Sequence, residues 1–377
     1  MLRFEDGAVQ FRQRLIVSLI SHRPLLIRNI RSDDLENPGL KDYEVSFLRL
    51  LDQMTNGSKL EINSTGTQLK FLPGVLIGAD EVEHNCPPSR GVGWFLEGIL
   101  PLAAFGKEHT QLTLHGVTEG TYHQDPSVDY LKSSILPLLS QFGIGTEEDE
   151  APPPSIRVVS RGAPPDGRGT VEFFCPIVKE LHPIDMLDPG LVKRIRGTAV
   201  SCRVPSSSTG RVAHAAKGVL QRLLPDIWVH TDVNNSRGKR DGGNRNNNPS
   251  LGLVLRAEST MGCVWTAECC IDTESERGAE LPEDLGQRGA AMLLEEIRRG
   301  GCIDTTAQSL VLLLMCLGPE DVARIRLGTL SQYTIQSLRL YKQVLGVEFK
   351  VKPDHDTKTV IMSCLGTGYR NMAKAST

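Results

Sequence analysis

Apolar residues along the chain switch between helical and strand spacing, the pattern of an α/β or α+β protein. The spacing predicts a helix over 9–21, a strand over Leu25–Ile30, and a helix from Leu40 to about Met54, entered through Pro38-Gly39. Short strands follow at Leu60–Ile62 and Leu69–Leu72, on either side of the turn-rich Asn63-Ser64-Thr65-Gly66. The same helix–strand–helix–strand–strand order then recurs. A helix through Trp94–Leu102 leads to a strand at Leu112–Leu114, a helix carrying Ser134–Leu139, and strands at Ile156–Val159 and Val171–Phe174. Ile-Leu-Pro-Leu occurs in both of these helices, at 99–102 and 135–138, a slender sign of repetition.

From Pro183 to about Ala279 the texture changes. A strand (Thr198–Val204), a helix (Gly210–Leu224) and strands at Ile227–His230, Leu251–Ala257 and Cys263–Cys269 make a small α/β unit. The polar, Gly/Asn-rich stretch 234–249 has no periodicity, and its composition predicts a mobile loop. Long helices then return at about 284–299, 305–316 and 330–344, followed by a strand pair at Val347–Val351 and Thr359–Cys364. The expected organisation is a large domain in two segments, 1–184 and 280–377, with a small α/β domain inserted at 185–279.

Composition narrows the function classes. The 377 residues carry 42 Lys+Arg against 45 Asp+Glu, a net charge of −3, which excludes a uniformly basic binder. No apolar run approaches the ~20 residues of a membrane span. The start, Met1-Leu2-Arg3-Phe4-Glu5-Asp6, has acids where a cleaved signal needs basic residues, so a soluble, unexported protein is expected. Nine cysteines show no C-x-x-C spacing and read as reduced, buried thiols; neither a metal site nor a cofactor is expected. The acid run Glu147-Glu148-Asp149-Glu150 reads as a solvated surface loop.

Candidate chemistry centres on Arg161-Gly162-Ala163-Pro164-Pro165-Asp166-Gly167-Arg168-Gly169, a Gly-rich turn between two strands. Such a turn can offer backbone N–H groups to an anion, although most serve only as turns. This Arg-Gly-x-x-Pro-x-Gly-x-Gly pattern resembles the signature of the RNA 3′-terminal phosphate cyclases, with Arg168 in place of the middle of three glycines. Ile27–Arg31 followed by Asn37-Pro38-Gly39-Leu40 resembles that family's first strand and turn. Asp125-Pro126-Ser127-Val128-Asp129-Tyr130 resembles a helix start, and Leu293–Ile297 with Gly300–Asp304 resembles the stretch before its second-last helix. Leu345–Phe349 resembles its closing strand. The resemblance spans roughly residues 5–365. It implies repeated βαβαββ-like units with a small inserted α/β domain, in agreement with the division read from the pattern.

The departures bear on activity. The cyclases adenylate a histidine near the C-terminus, and a covalent intermediate needs a nucleophile there. An ungapped match back from Leu345-Gly346-Val347 puts Tyr333 at that place, and His355 lies beyond the motif. The family's opening glycine run is Asp6-Gly7-Ala8-Val9-Gln10-Phe11-Arg12 here, its Arg-Gln-His is Asp42-Tyr43-Glu44, and its Gly-Ser-Ala-Gly-Ser is Pro87-Pro88-Ser89-Arg90-Gly91. Acids in place of Arg and His would repel a nucleotide's phosphates. No catalytic residue is assigned.

This pattern is similar to that of a eukaryotic branch of the family, the cyclase-like proteins of ribosome assembly. That resemblance implies a nucleolar pseudoenzyme of the small-subunit processome. It would bind a large GTPase and small-subunit pre-rRNA within a snoRNP-containing precursor, and it would be needed for early cleavages. The alternatives are an endoribonuclease acting on pre-rRNA and a diverged cyclase. The i, i+4 carboxylates Asp125 and Asp129 are the nearest approach to a nuclease pair, but the resemblance makes both fold positions.

Basic residues are the remaining candidates. Residues 8–32 hold Arg12, Arg14, Arg23, Arg28 and Arg31 with no acid, and 323–347 hold Arg324, Arg326, Arg339 and Lys342 with no acid. Between Pro189 and Pro225 stand Lys193, Arg194, Arg196, Arg203, Arg211, Lys217 and Arg222, again with no acid. Candidate contacts to RNA or an acidic partner are Arg12, Arg14, Arg168, Lys193, Arg194, Arg196, Arg324 and Arg326.

Overall fold

The computed structural model describes residues 1–119, 125–146, 152–164, 167–234, 249–271, 280–372 and 374. Most of the loop expected at 234–249 and the acid run 147–150 therefore lie outside the described residues.

The first unit contains β1 (Leu2–Phe4), α1 (Phe11–Ser21), β2 (Leu25–Ile27), α2 (Asp42–Met54), β3 (Thr55–Asn56), β4 (Lys59–Ile62), β5 (Leu69–Leu72) and β6 (Val75–Leu76). The second contains β7 (Ala79–Asn85), α3 (Val92–Ala103), β8 (Thr110–Gly116), α4 (Val128–Tyr130), a π-turn (Leu131–Ile135), α5 (Leu136–Gln141), β9 (Ser155–Ser160) and β10 (Gly169–Cys175). The third opens with β11 (Asp185–Met186) and is interrupted by β12 (Val192–Cys202), α6 (Ser206–Leu220), β13 (Ile227–Asn234), β14 (Ser250–Ser259), β15 (Val264–Cys270) and α7 (Pro282–Arg299). It closes with α8 (Gln308–Leu317), β16 (Val322–Leu327), α9 (Gln332–Leu345), β17 (Lys350–Asp354) and β18 (Thr359–Leu365).

The three units share one topology. Their four-stranded sheets run β1-β2-β5-β4, β7-β8-β10-β9 and β11-β16-β18-β17. In each, the first two strands are parallel and the remaining neighbours antiparallel. A parallel pair needs a crossover of a dozen or more residues. In the third unit that crossover holds the whole inserted sheet, ordered β13-β12-β14-β15.

Alternation decides which face of each sheet is buried. In β16, Ala323, Ile325 and Leu327 are buried while Val322 and Arg324 are exposed, and β10 buries Val171, Phe173 and Cys175. The sequence Gln-Ser-Leu-Val-Leu-Leu-Leu-Met-Cys-Leu of α8 has no polar stripe, and every one of its residues is buried. A helix apolar all round belongs in a core. Each fully buried Leu there contributes about 1.5–3 kcal/mol. α8 packs against α3, α9 and β18, and α1 packs against α3 and α9, so helices from all three units meet.

Several expectations need correction. The spacing missed β1, β7, β11 and β16. β7, Ala-Asp-Glu-Val-Glu-His-Asn, is a charged edge strand that buries only Ala79 and His84. β12 starts at Val192 rather than at 198, because it pairs along most of its length with β14. The two Ile-Leu-Pro-Leu segments are not equivalent: Pro101 lies inside α3, before β8, and Pro137 opens α5, after it. Helix α7, read as part of the large domain, packs on α6, β14 and β15; Gly286 meets the Val212 backbone so closely that an added Cβ would lie 2.4 Å from its carbonyl oxygen.

Candidate functional site

Tyr333 sits at the start of α9, where Ser331 caps the helix by accepting from the Thr334 N–H at 3.1 Å. Gly346, at φ 74°, ends it in a conformation that costs glycine little. Gln10 ties α1 to this turn, donating to Ser337 Oγ at 2.8 Å and to the Tyr333 carbonyl at 3.2 Å. Behind them α3 comes close: a Cβ on Gly98 would lie 2.7 Å from the Phe47 ring and 3.5 Å from Arg12 Cδ. Glycine thus lets the ring and the guanidinium share one space.

The crevice formed by α1, α2, α3 and α9 is filled by paired charges and aromatic rings. Arg12 donates to Glu97 at 2.6 Å and to the Trp94 carbonyl, and its guanidinium lies 4.4 Å from the Trp94 ring centroid. Burial opposes the Arg12 charge and Glu97 outweighs it, so its pKa lies above the ordinary value. Trp94 meets Tyr43 edge-on at 5.2 Å, and Arg90 lies 5.0 Å from the other side of Tyr43. Arg90 donates to Asp125 at 2.7 Å, and Asp125 also accepts from the Gly91 N–H at 3.1 Å. Arg31 grips Glu44 with two bonds, at 2.8 and 2.7 Å, while Asp42 accepts from Ser89 Oγ at 2.8 Å. Glu44 and Asp42 are thus engaged by Arg31 and Ser89 of the same chain.

The Tyr333 hydroxyl is buried beside Arg12 and Gln13, but neither reaches hydrogen-bond geometry with it. Burial and then Glu97 push its pKa above the usual tyrosine value, so it stays a neutral phenol. A neutral phenol is a poor nucleophile. His355, in the exposed turn between β17 and β18, is remote in the fold from this crevice.

The Gly-rich turn is explained by packing. An added Cβ on Gly162 would lie 2.1 Å from the Gly169 nitrogen, and one on Gly169 would lie 2.3 Å from Thr118 Cγ2. Thr118 N–H donates to the Gly162 carbonyl at 2.9 Å, and Gly162 N–H donates to Thr118 Oγ1 at 3.1 Å. These glycines bring two backbones together. The neighbouring Arg161 is buried and joins unit two to the inserted sheet, donating to Asp129 at 2.7 Å and to Asp232 at 2.9 Å. Asp125 and Asp129 therefore serve different arginines and do not form a carboxylate pair. No group of three metal-ligating side chains occurs among the described residues.

At the junction of unit two, unit three and the inserted sheet, Asp304 is buried and Glu268 is half-buried. Glu268 accepts from the Ser127 N–H at 3.1 Å, and burial pushes its pKa up to about 7. Asp304 accepts from Tyr130 Oη at 2.7 Å and Ser134 Oγ at 2.9 Å, and burial raises it to about 6.

The candidate cations divide by burial. Arg12 and Arg14 are interior, a correction to their reading as contacts: Arg14 donates to Asp6 at 2.6 Å and to the Gly7 carbonyl at 3.0 Å. Arg324 pairs with Asp185, and Arg326 pairs with Asp354 at 2.6 Å. Arg194 pairs with the buried Glu258 at 2.6 Å, and Arg196 pairs with Asp226 at 2.8 Å at the surface. Lys193 and Arg168 are exposed. Sequence reasoning missed Trp94 and Glu97, which fill and neutralise the crevice, and Trp228, which stands outward on β13. The last was legible: Ile227 and Val229 alternate with it and face inward.

Comparison with known proteins agrees with this architecture. The family model "RNA 3′-terminal phosphate cyclase" matches residues 3–351. An RNA 3′-terminal phosphate cyclase-like protein of Homo sapiens is 47% identical, over 98% of this chain and 96% of its own length. A probable cyclase-like protein of Dictyostelium discoideum is 44% identical over 100% of both chains. The rRNA processing protein rcl1 of Schizosaccharomyces pombe is 41% identical, over 97% of this chain and 96% of its own. The chain belongs to the RNA 3′-terminal phosphate cyclase family.

Proposed function

We propose that this member of the cyclase family works in rRNA processing as a non-catalytic assembly factor for the small ribosomal subunit. The observation that carries the reading is Tyr333: at the position that the sequence resemblance assigns to the family's nucleophile stands a neutral phenol with a buried hydroxyl, beside an arginine already neutralised by Glu97. The name of the fission-yeast relative, an rRNA processing protein, supports the same process for this chain. In this reading it acts in the nucleolus, bound to a large GTPase and to small-subunit pre-rRNA within a snoRNP-containing precursor. Exposed cations such as Lys193 and Arg194, and the surface-paired Arg196, are the groups that support contact with an anionic polymer.

The test uses labelled ATP, a 3′-phosphorylated RNA and a pre-rRNA fragment with the purified full chain. The expected result is no covalent adenylate, no cyclic phosphate and no specific scission. An adenylate on the protein would restore the cyclase reading, and specific cleavage would make it a nuclease. A Tyr333→Phe chain should also support small-subunit rRNA maturation in cells depleted of the parent; failure of that variant, at normal abundance, would overturn the non-catalytic role.

A further inference from the structure

One half of the inserted sheet carries an aromatic and cationic arrangement that the crevice does not use. Helices α6 and α7 cover one face, against which Ile195, Ala199, Ile227 and Leu255 are buried. Ile195 pairs with Ile227, so the next pair in register, Arg196 and Trp228, projects from the opposite face. Trp228 is 58% exposed, whereas Trp94 and Trp265 are 8% and 3% exposed. Its indole N–H donates to His230 Nδ1 at 3.2 Å, and the two rings lie 5.7 Å apart. Arg196 is flanked across the sheet by Arg256 of β14, and Arg194 lies two residues before it on the same face. Lys193 is exposed in the bulge just before Arg194 and makes no ion pair among the described residues. Four cations here face two acids, Asp226 and Glu258.

We propose that this half-face docks a single-stranded RNA segment, with bases stacking on Trp228 and His230 and phosphates meeting Arg196, Arg194 and Lys193. The inference rests on the proposed role in rRNA processing, and adds to it a surface and a class of RNA. Three features favour this occupant. The two rings stand 5.7 Å apart on one face of the strand, close enough for neighbouring unstacked bases to lie on both. β13 is the sheet's edge, so a strand can pass over it without meeting a wall. The apolar area is one indole ringed by cations, which lacks the contiguous apolar patch of a protein docking site. The Arg196–Asp226 pair does not block the exchange, because an exposed ion pair is weak and a guanidinium fork accepts phosphate as readily as carboxylate.

The experiment uses the full chain with fluorescein-labelled U12 and, separately, a 12-base-pair RNA duplex. U12 should bind more tightly than the duplex and quench the tryptophan emission, which at the surface comes from Trp228. Trp228→Leu should abolish the quenching and weaken U12 binding about tenfold, while Trp228→Phe keeps most of the affinity. Arg196→Gln should lower the slope of log K against log[salt] by about 0.7. If the parent binds U12 and Trp228→Leu, with a parental melting curve, binds it equally well, the platform is wrong and the RNA reading stands. If the duplex is preferred, the single-strand assignment is wrong. If neither RNA binds, the platform and direct RNA contact in the proposed function both fall.

Discussion

The crevice between α1, α2, α3 and α9 and the open half of the β12–β13 face are both rich in arginine, and they use it oppositely. In the crevice the guanidinium groups are turned inward: the Arg12 side chain is 9% exposed and its partner Glu97 17%. On the inserted sheet the Arg196 side chain is 35% exposed and its partner Asp226 56%, while Arg194, 45% exposed, reaches inward to the buried Glu258. A buried pair is locked, because removing either partner strands a charge away from water. An exposed pair is exchangeable, because water and salt already compete for it. The same residue type therefore closes one region and leaves the other open to an anion.

Substitutions can break that contrast, beginning inside the crevice. Glu97→Gln leaves Arg12 charged and buried without its counter-ion, and should cost about 3 kcal/mol in urea unfolding. Arg12→Met with Glu97→Leu should recover most of that loss, since no charge is left stranded. A double variant no more stable than the single one would show that the pair itself, rather than the stranded charge, holds the crevice together.

The junction between the regions has the next largest effect. The Glu268 carboxyl, raised by burial to about 7 from 4.5, binds its proton more tightly in the folded than in the unfolded chain. Its contribution is complete below the unfolded pKa and is lost as pH rises through about 7. Glu268→Gln should therefore change stability little at pH 4 and stabilise the protein by up to about 3 kcal/mol at pH 8, at about 1.4 kcal/mol per pKa unit. Parallel stability–pH curves for parent and variant would place the carboxyl in contact with water.

Smaller effects complete the contrast. Tyr333→Phe removes a buried hydroxyl that has no partner, so stability should stay level or rise, by no more than about 1 kcal/mol. Tyr333→His should not acquire adenylate from ATP, because Asp42 and Glu44 still stand where the sequence resemblance sets Arg and His; a labelled adduct on that variant would show that the nucleotide site had survived. The smallest effect belongs to the surface: Arg196→Gln, whose partner Asp226 is exposed, should leave the melting temperature within about 1 °C of the parent.

Much of the fold was legible because periodicity reports burial directly. β5 and β18 appear where alternation put them, and α8 announced itself by having no polar face. Strands β7 and β16 were harder: one is an edge strand dominated by charge, and the other hides its alternating Ala323, Ile325 and Leu327 among arginines. The crevice was legible as a set of altered positions, Tyr333, Asp42 and Glu44 among them. The cations were misread where local sequence stood in for surface. Residues 8–32 contain no acid, yet Arg12 finds Glu97, Arg14 finds Asp6, Arg28 finds Glu5 and Arg31 finds Glu44.

Most element types and the family follow from the order of residues, because spacing and side-chain chemistry are local properties. Whether a charge is available is not local. Coulomb attraction depends on distance in space and on exclusion of water, and both were decided when α3 brought Glu97 and Trp94 onto Arg12 while β13 carried Trp228 to an open edge beside Arg196.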